Sequence, residues 1–256
     1  MAKRKTAAAA KAKPKAGFKP YEDRSQPLRA IPGYPNTQRR TPKTFVPRVV
    51  SIADVTGPRF AASDVRAEEA DLSRRAPGLP RALGQLMTIS GRVLDDAGRP
   101  VPDCLIEIWH ANCSGKYIHH NDPSPVPEDA NFRGRGRVMT DAKGAYEFRT
   151  IKPGAYAVPD SQPGQQRGWW RPPHIHLSLF GANFASRLVT QLYFPGDPLN
   201  EQDAILMSIP DKAARERMIC RYLKRTTSNS EQGDAALTFG HDMVLRGRFE
   251  TPFEGR

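Results

Sequence analysis

The sequence predicts an all-β protein: an antiparallel β-sandwich core with a long wrapping N-terminal arm and a short helix. Three observations point there. Several runs of five to eight residues alternate apolar and polar side chains, the period of a half-buried strand. Turn signals such as Asp95-Asp96-Ala97-Gly98 and Asp141-Ala142-Lys143-Gly144 stand between them. Pro (24) and Gly (20) are plentiful, and only one later segment has helical composition.

Residues 1–20 are a low-complexity Ala/Lys/Pro stretch with seven Lys or Arg and no acid. Such a tail buries too little apolar area to order itself. Residues 21–84 are rich in Pro and Arg and read as an extended arm, with a short helix near Asp64–Ser73. The sandwich domain takes residues 85–256. Its strands are read at Leu86–Val93 and Cys104–Trp109, then as a hairpin of Gly136–Thr140 with Tyr146–Thr150. His174–Phe180, Arg187–Phe194 and Met243–Arg246 come next. Asp211–Arg225 is the helical segment, with Met218, Ile219 and Tyr222 on one face. No internal repeat is evident.

The formal net charge is +12, but the tail produces most of it. Beyond residue 20 the chain has 32 basic against 27 acidic residues. A polyanion contact is therefore a reading for the tail alone, since the body has no nucleic-acid motif and no aromatic–basic stripe. Three cysteines (Cys104, Cys113, Cys220) form neither a C-x-x-C pair nor a disulfide framework, which suits a reducing compartment. The mean hydropathy is −0.60, and no apolar run approaches the ~18 residues of a membrane span. The apolar run after the basic N-terminus is only Ala7–Ala10, so the expected location is the cytoplasm.

The sharpest chemical feature is Arg171-Pro172-Pro173-His174-Ile175-His176. On a strand, positions i and i+2 face the same way, so His174 and His176 present two imidazoles side by side. That suits one metal; a solvated surface pair is the plainer reading of H-x-H alone. No nearby carboxylate completes a 2-His-1-carboxylate set, and no nearby Cys suggests zinc. The surrounding loops offer tyrosine instead: Tyr117 and Tyr156 each come just after a strand.

Taken together these segments resemble the intradiol dioxygenases. Ile106-Glu107-Ile108-Trp109-His110-Ala111-Asn112 leading to Gly115-Lys116-Tyr117 is similar to the family's first ligand segment. Thr140 to Gly144, then Ile151-Lys152-Pro153-Gly154 to Tyr156, is similar to the second, and Arg171 to His176 to the third. Thr190-Gln191-Leu192-Tyr193-Phe194, Gly196-Asp197-Pro198 and Val244-Leu245-Arg246-Gly247 then stand in family order.

The resemblance implies non-haem ferric iron, Fe(III), held by Tyr117, Tyr156, His174 and His176 with a solvent hydroxide. Two phenolates and one hydroxide balance three positive charges, and hard oxygen donors favour the ferric state. A catechol-type diol is then opened with O2 between its two hydroxylated carbons. The resemblance makes Tyr156 the tyrosine released on substrate binding, able to take one of the diol's protons. Arg171 becomes the cation beside the substrate, Gln191 an outer-sphere partner, and Trp109 and Ile205 pocket-shaping residues.

Ile31-Pro32-Gly33-Tyr34 and Arg40-Thr41-Pro42 resemble the N-terminal segment of the protocatechuate-cleaving branch, which places Tyr34 and Arg40 near a substrate carboxylate. That branch also implies a homologous, iron-free α chain as partner. Two departures leave catechol, hydroxyquinol or another substituted catechol as alternatives. Val158 stands where the family often has tryptophan, and the stretch from Tyr156 to His174 is longer, with Trp169 or Trp170 available to refill the wall. A non-catalytic sandwich subunit is the alternative from another class; it is expected to lack one or more of the four ligands, all of which are present.

Overall fold

The computed structural model describes residues 60–120, 122–158, 169–181, 187–223, 236–245, 247 and 249–254. The tail, most of the arm, Tyr34 and Arg40 lie outside the described residues.

Two sheets enclose one apolar core. The first holds β1 (Leu86–Leu94), β4 (Ala145–Ile151), β9 (Arg221–Leu223), β10 (Leu237–Gly240) and β11 (Met243–Val244). The second runs in the order β3 (Arg135–Met139), β2 (Leu105–Trp109), β7 (His174–Phe180), β8 (Arg187–Tyr193), every pair antiparallel. β5 (Tyr156–Ala157) and β6 (Trp170–Arg171) form a separate two-stranded piece. The core combines Met87, Ile89 and Val93 of β1 with Ile106 and Ile108 of β2. Ile175, Leu177 and Leu179 of β7 and Leu188 and Leu192 of β8 join them. The spacing of two along each strand is what sends these residues inward and their neighbours outward. Cys104, Cys113 and Cys220 are free thiols, and burial pushes Cys104 and Cys220 up to about 12. No helix among the described residues is long and apolar enough to cross a membrane.

Four readings of the sequence are corrected in detail. The turn at Asp141–Gly144 forms, with the Asp141 carboxylate accepting from Lys143 N and Ala145 N at 2.8 Å each. Its flanking strands are not a hairpin, however: β3 pairs with β2 and β4 with β1. A tight turn dictates a local reversal, whereas the strand's apolar face decides which sheet it joins.

The sandwich is also not wholly antiparallel, because β10 and β11 both run parallel to β1. Strand direction there depends on where the chain returns from, which a local pattern does not encode.

The helix expected at Asp211–Arg225 shrinks to Lys212–Glu216 (α2), preceded by a one-turn helix at Ala204–Met207 (α1). The end of β8 captures the chain beyond α2: Tyr193 N donates to Met218 O at 2.8 Å, and Cys220 N donates to Tyr193 O at 2.9 Å. Tyr222 consequently lies on β9 and is 49% exposed.

The helix expected near Asp64–Ser73 is two 3-10 turns, Ala62–Asp64 and Ala67–Ala70. The second turn buries Glu69, whose carboxylate receives Arg137 Nε at 2.6 Å and Nη2 at 3.0 Å. The Arg137 bonds, outweighing the opposing effect of burial, hold Glu69 down at about 2 against an ordinary 4.5. A carboxyl depressed on folding contributes stability above its unfolded value and loses it as pH falls through the folded one. Glu69→Gln is therefore expected to lower the denaturant midpoint at pH 7, with the gap from wild type closing between about pH 4.5 and 2.

Candidate metal centre

The alternation that builds the core also builds the site, on the opposite face of the same sheet. With Ile175, Leu177 and Leu179 inward, β7 turns His174 and His176 outward. In the register across β2, β7 and β8, Trp109 stands opposite His176, His176 opposite Gln191, and His174 opposite Tyr193. The Trp109 and His176 rings stack with centroids 4.9 Å apart and planes 8° from parallel.

Two loops bring the tyrosines. The Asn112–Tyr117 loop is tied by Asn112 Oδ1, which accepts from Ser114 N at 2.9 Å and Lys116 N at 3.0 Å. Lys116 Nζ donates to Ser124 O at 2.7 Å, and Tyr117 N donates to Asp122 Oδ2 at 2.8 Å. The second loop carries Tyr156 onto β5, where it pairs with Arg171 of β6.

The two loops touch backbone to backbone at two glycines. A Cβ on Gly154 falls 2.4 Å from Cys113 O, and one on Gly115, whose φ is +85°, falls 2.4 Å from Ala155 O. Gly154→Ala is expected to push the Tyr117 loop away from Tyr156, costing at least about 1 kcal/mol of stability by overpacking. Thermal denaturation and bound-metal analysis of the variant check this, and both readings are expected to fall.

All four candidate donors converge. Tyr117 Oη lies 3.0 Å from His176 Nε2 and 3.3 Å from His174 Nε2, and Tyr156 Oη lies 3.5 Å from His174 Nε2. Two donors each about 2.1 Å from one ion stand about 3.0 Å apart at a right angle and about 3.6 Å apart at 120°, so these spacings suit a single cation. Each imidazole is oriented for it. His174 Nδ1 lies 2.7 Å from Pro172 O and must donate to it, which leaves the Nε2 lone pair bare. His176 Nδ1 bonds the Glu254 carboxylate with the same consequence. Burial and the nearby Arg171 hold His174 well below the ordinary histidine range, so it is a neutral donor at neutral pH. Among the described residues no group of three or more His, Cys, Asp or Glu is placed to hold a metal. The companions of the two histidines are thus phenols, hard oxygen donors that suit a trivalent ion.

Arg171 is wholly buried beside this cluster. Its Nε donates to Asp203 Oδ2 at 2.9 Å, and its Nη2 to Gln191 Oε1 at 2.6 Å and Tyr193 Oη at 2.9 Å. Nη1 lies 3.2 Å from His174 Nε2, which sets a fixed positive charge at the rim of the donor cluster. Burial pushes the Tyr193 phenol well above its ordinary range, so it stays protonated and donates to Gln191 Oε1 at 2.6 Å. Burial alone would raise Glu254, but His176, Gln191 and Arg171 outweigh it and hold the carboxyl below its ordinary value.

Trp109, Arg171 and Gln191 thus lie at the donor cluster. Ile205 is buried on α1, whose N-cap is the same Asp203 that pairs with Arg171. Val158 is buried too, its N donating to Trp169 O at 2.8 Å, while the Trp169 ring sits 5.9 Å from the Arg171 guanidinium carbon. Sequence reasoning missed Asp203, Tyr193 and Glu254. Asp203 carries a usable signal as an N-cap residue before Ala204–Met207; Glu254 carries none.

A family model described as a dioxygenase matches residues 55–247. The protocatechuate 3,4-dioxygenase beta chain of Burkholderia cepacia is 45% identical over 231 residues, covering 90% of this chain and 94% of that protein. The catechol 1,2-dioxygenase of Acinetobacter baylyi is 36% identical over 126 residues, 47% of this chain and 39% of that protein. Among solved structures, catechol 1,2-dioxygenase from Acinetobacter sp. ADP1 superposes with a TM-score of 0.52 at 27% identity, over 71% of this chain and 58% of that one. The likeness to catechol dioxygenases therefore spans well under two thirds of their length, whereas the beta-chain likeness runs nearly end to end. With a family model across most of the chain and a relative this similar over nine-tenths of it, the chain belongs to the intradiol ring-cleaving dioxygenases.

Proposed function

We propose that Tyr117, Tyr156, His174 and His176 hold one non-haem ferric iron, and that the enzyme opens protocatechuate with O2 between its two hydroxylated carbons to give 3-carboxy-cis,cis-muconate. The observation that carries the metal reading is the approach of the Tyr117 hydroxyl to both Nε2 atoms, at 3.0 and 3.3 Å. That hydroxyl has one proton to give to two acceptors, whereas a single cation in its place satisfies all the donors.

Ferric iron, when bound, supplies a Lewis-acidic template on which a catechol-type diolate is held and activated. The chain's own residues do the rest. The diol must lose two protons to bind as a dianion: the Tyr156 phenolate oxygen would take one as it leaves the donor cluster, and the solvent hydroxide would take the other. Arg171, held by Asp203, Gln191 and Tyr193, meets the charge developing on the substrate ring with a cation that neither moves nor loses its proton. Trp109 keeps the His176 ring at a fixed tilt and bounds the site on that side.

The protocatechuate assignment draws on the beta-chain relative, whose likeness takes in most of the N-terminal region. Tyr34 is proposed to hydrogen-bond the substrate carboxylate and Arg40 to neutralise it. An iron-free α chain of similar fold is the proposed partner, in keeping with the relative's designation as a beta chain. The test is the visible spectrum and iron content of the purified protein, and then O2 uptake with protocatechuate and with catechol. A broad charge-transfer band with near-stoichiometric iron and faster uptake on protocatechuate is expected. A protein that stays colourless after iron loading and addition of an α chain overturns the metal reading; faster uptake on catechol overturns the substrate.

A further inference from the structure

The last described residues, 249–254, run as a strap from β11 of the first sheet to β8, the end strand of the second. Thr251 N donates to Val244 O at 2.9 Å, and Thr251 Oγ1 accepts from Val244 N at 3.0 Å. Thr190 Oγ1 donates to Pro252 O at 2.6 Å, and Glu254 N donates to Val189 O at 2.8 Å. From the other side Arg217 Nε donates to Glu250 O at 2.9 Å. Thr251 and Pro252 are buried. The strap thus has a fixed register on β8, and its end sets the Glu254 carboxylate against His176 Nδ1 and 3.2 Å from Gln191 Nε2.

We propose that Glu254 is a positioning residue for the metal centre, acting through His176. The inference rests on the iron reading above and deepens it. The two histidines are not equivalent: a neutral carbonyl, Pro172 O, holds His174, whereas a full carboxylate holds His176. A carboxylate on Nδ1 selects the tautomer with a bare Nε2 and makes that nitrogen the more basic donor of the two. The same oxygen fixes Gln191. With its amide nitrogen on Glu254, Gln191 turns its Oε1 to Arg171 and Tyr193, so Glu254 also sets, one bond further on, where the Arg171 charge sits. A residue remote from the motif thereby adjusts both the donor strength of one ligand and the position of the cation beside it.

The test compares the purified iron-loaded wild type, with any co-purifying chain, against Glu254→Gln and Glu254→Ala. The readouts are the rate of iron loss to a chelator, the position of the visible band and the ferric/ferrous potential. Loss of an outer-sphere partner is expected to speed iron release by about 10–100-fold in Glu254→Ala. Glu254→Gln should fall between it and wild type, and in both variants the band should shift and the ferric form become easier to reduce. Wild-type release rates with an unmoved band and potential in both variants overturn the proposal. A wild type that binds no iron overturns the metal reading instead. Should neither variant fold, histidine nitrogen NMR of gallium(III)-loaded wild type decides: an exchange-protected proton on His176 Nδ1 supports the proposal, and an unprotonated Nδ1 overturns it.

Discussion

His176→Ala is expected to purify with little or no iron, to lack the visible band and to show no measurable ring cleavage. The variant removes one of four converging donors, so metal affinity should fall by more than the about 10–100-fold that an outer-sphere loss costs. It also leaves the Glu254 carboxylate facing an empty space and strips Trp109 of its stacking partner. The mostly buried carboxylate then keeps only its bond from Gln191 Nε2, and a weakened buried acceptor costs up to about 1–3 kcal/mol, so a lower melting temperature should accompany the loss of colour. Circular dichroism separates the two effects: the sheet signal should remain while iron and activity go. A variant with wild-type iron content and turnover would remove His176 from the ligand set.

The second large effect is expected at Asp203, which is not one of the four proposed ligands. Arg171 and Asp203 are both fully buried, and Asp203 is the counter-ion of that guanidinium. Asp203→Ala takes from the buried cation the carboxylate that pairs with its Nε, while its bonds to Gln191 and Tyr193 remain. Removing one member of a buried pair costs about 3–5 kcal/mol. The same carboxylate caps α1 by accepting from Ile205 N at 2.7 Å and Leu206 N at 3.0 Å, which adds about 1 kcal/mol. In a domain of this size the pair alone corresponds to a fall in Tm of about 6–20 °C. Ring cleavage should fall with it, because Arg171 is no longer held beside His174. Asp203→Asn keeps an accepting oxygen for the cap but not the charge, and should lie between. A Tm within about 2 °C of wild type in Asp203→Ala would mean that the pair is not formed.

How far the fold and the centre are legible in the sequence depends on the reach of the interactions. β7 is legible to the residue because its alternation runs unbroken for six of its seven positions, and the same alternation tells which face holds the two histidines. The tyrosines are legible only through the family resemblance, since no local rule brings a loop residue to a strand 57 residues later. Glu254 meets its partner across 78 positions and Asp203 across 32, by contacts that only the folded chain makes. The hairpin is misread for a related reason: a turn sequence specifies a bend, but not which of two sheets receives the next strand.

The glycine contacts between the two tyrosine loops have a mechanical consequence. Tyr156 is clamped on one side by Gly154 against Cys113 O and on the other by its ladder bonds to Arg171. Its Cα has no room to travel without breaking both. If the phenol leaves the cluster when a diol arrives, it leaves by spinning about its own Cα–Cβ bond, with the chain standing still. A rotamer change of this kind is an inherently faster class of motion than the rearrangement of a loop. Opening of the proposed centre would then take a single torsion and no movement of the loop.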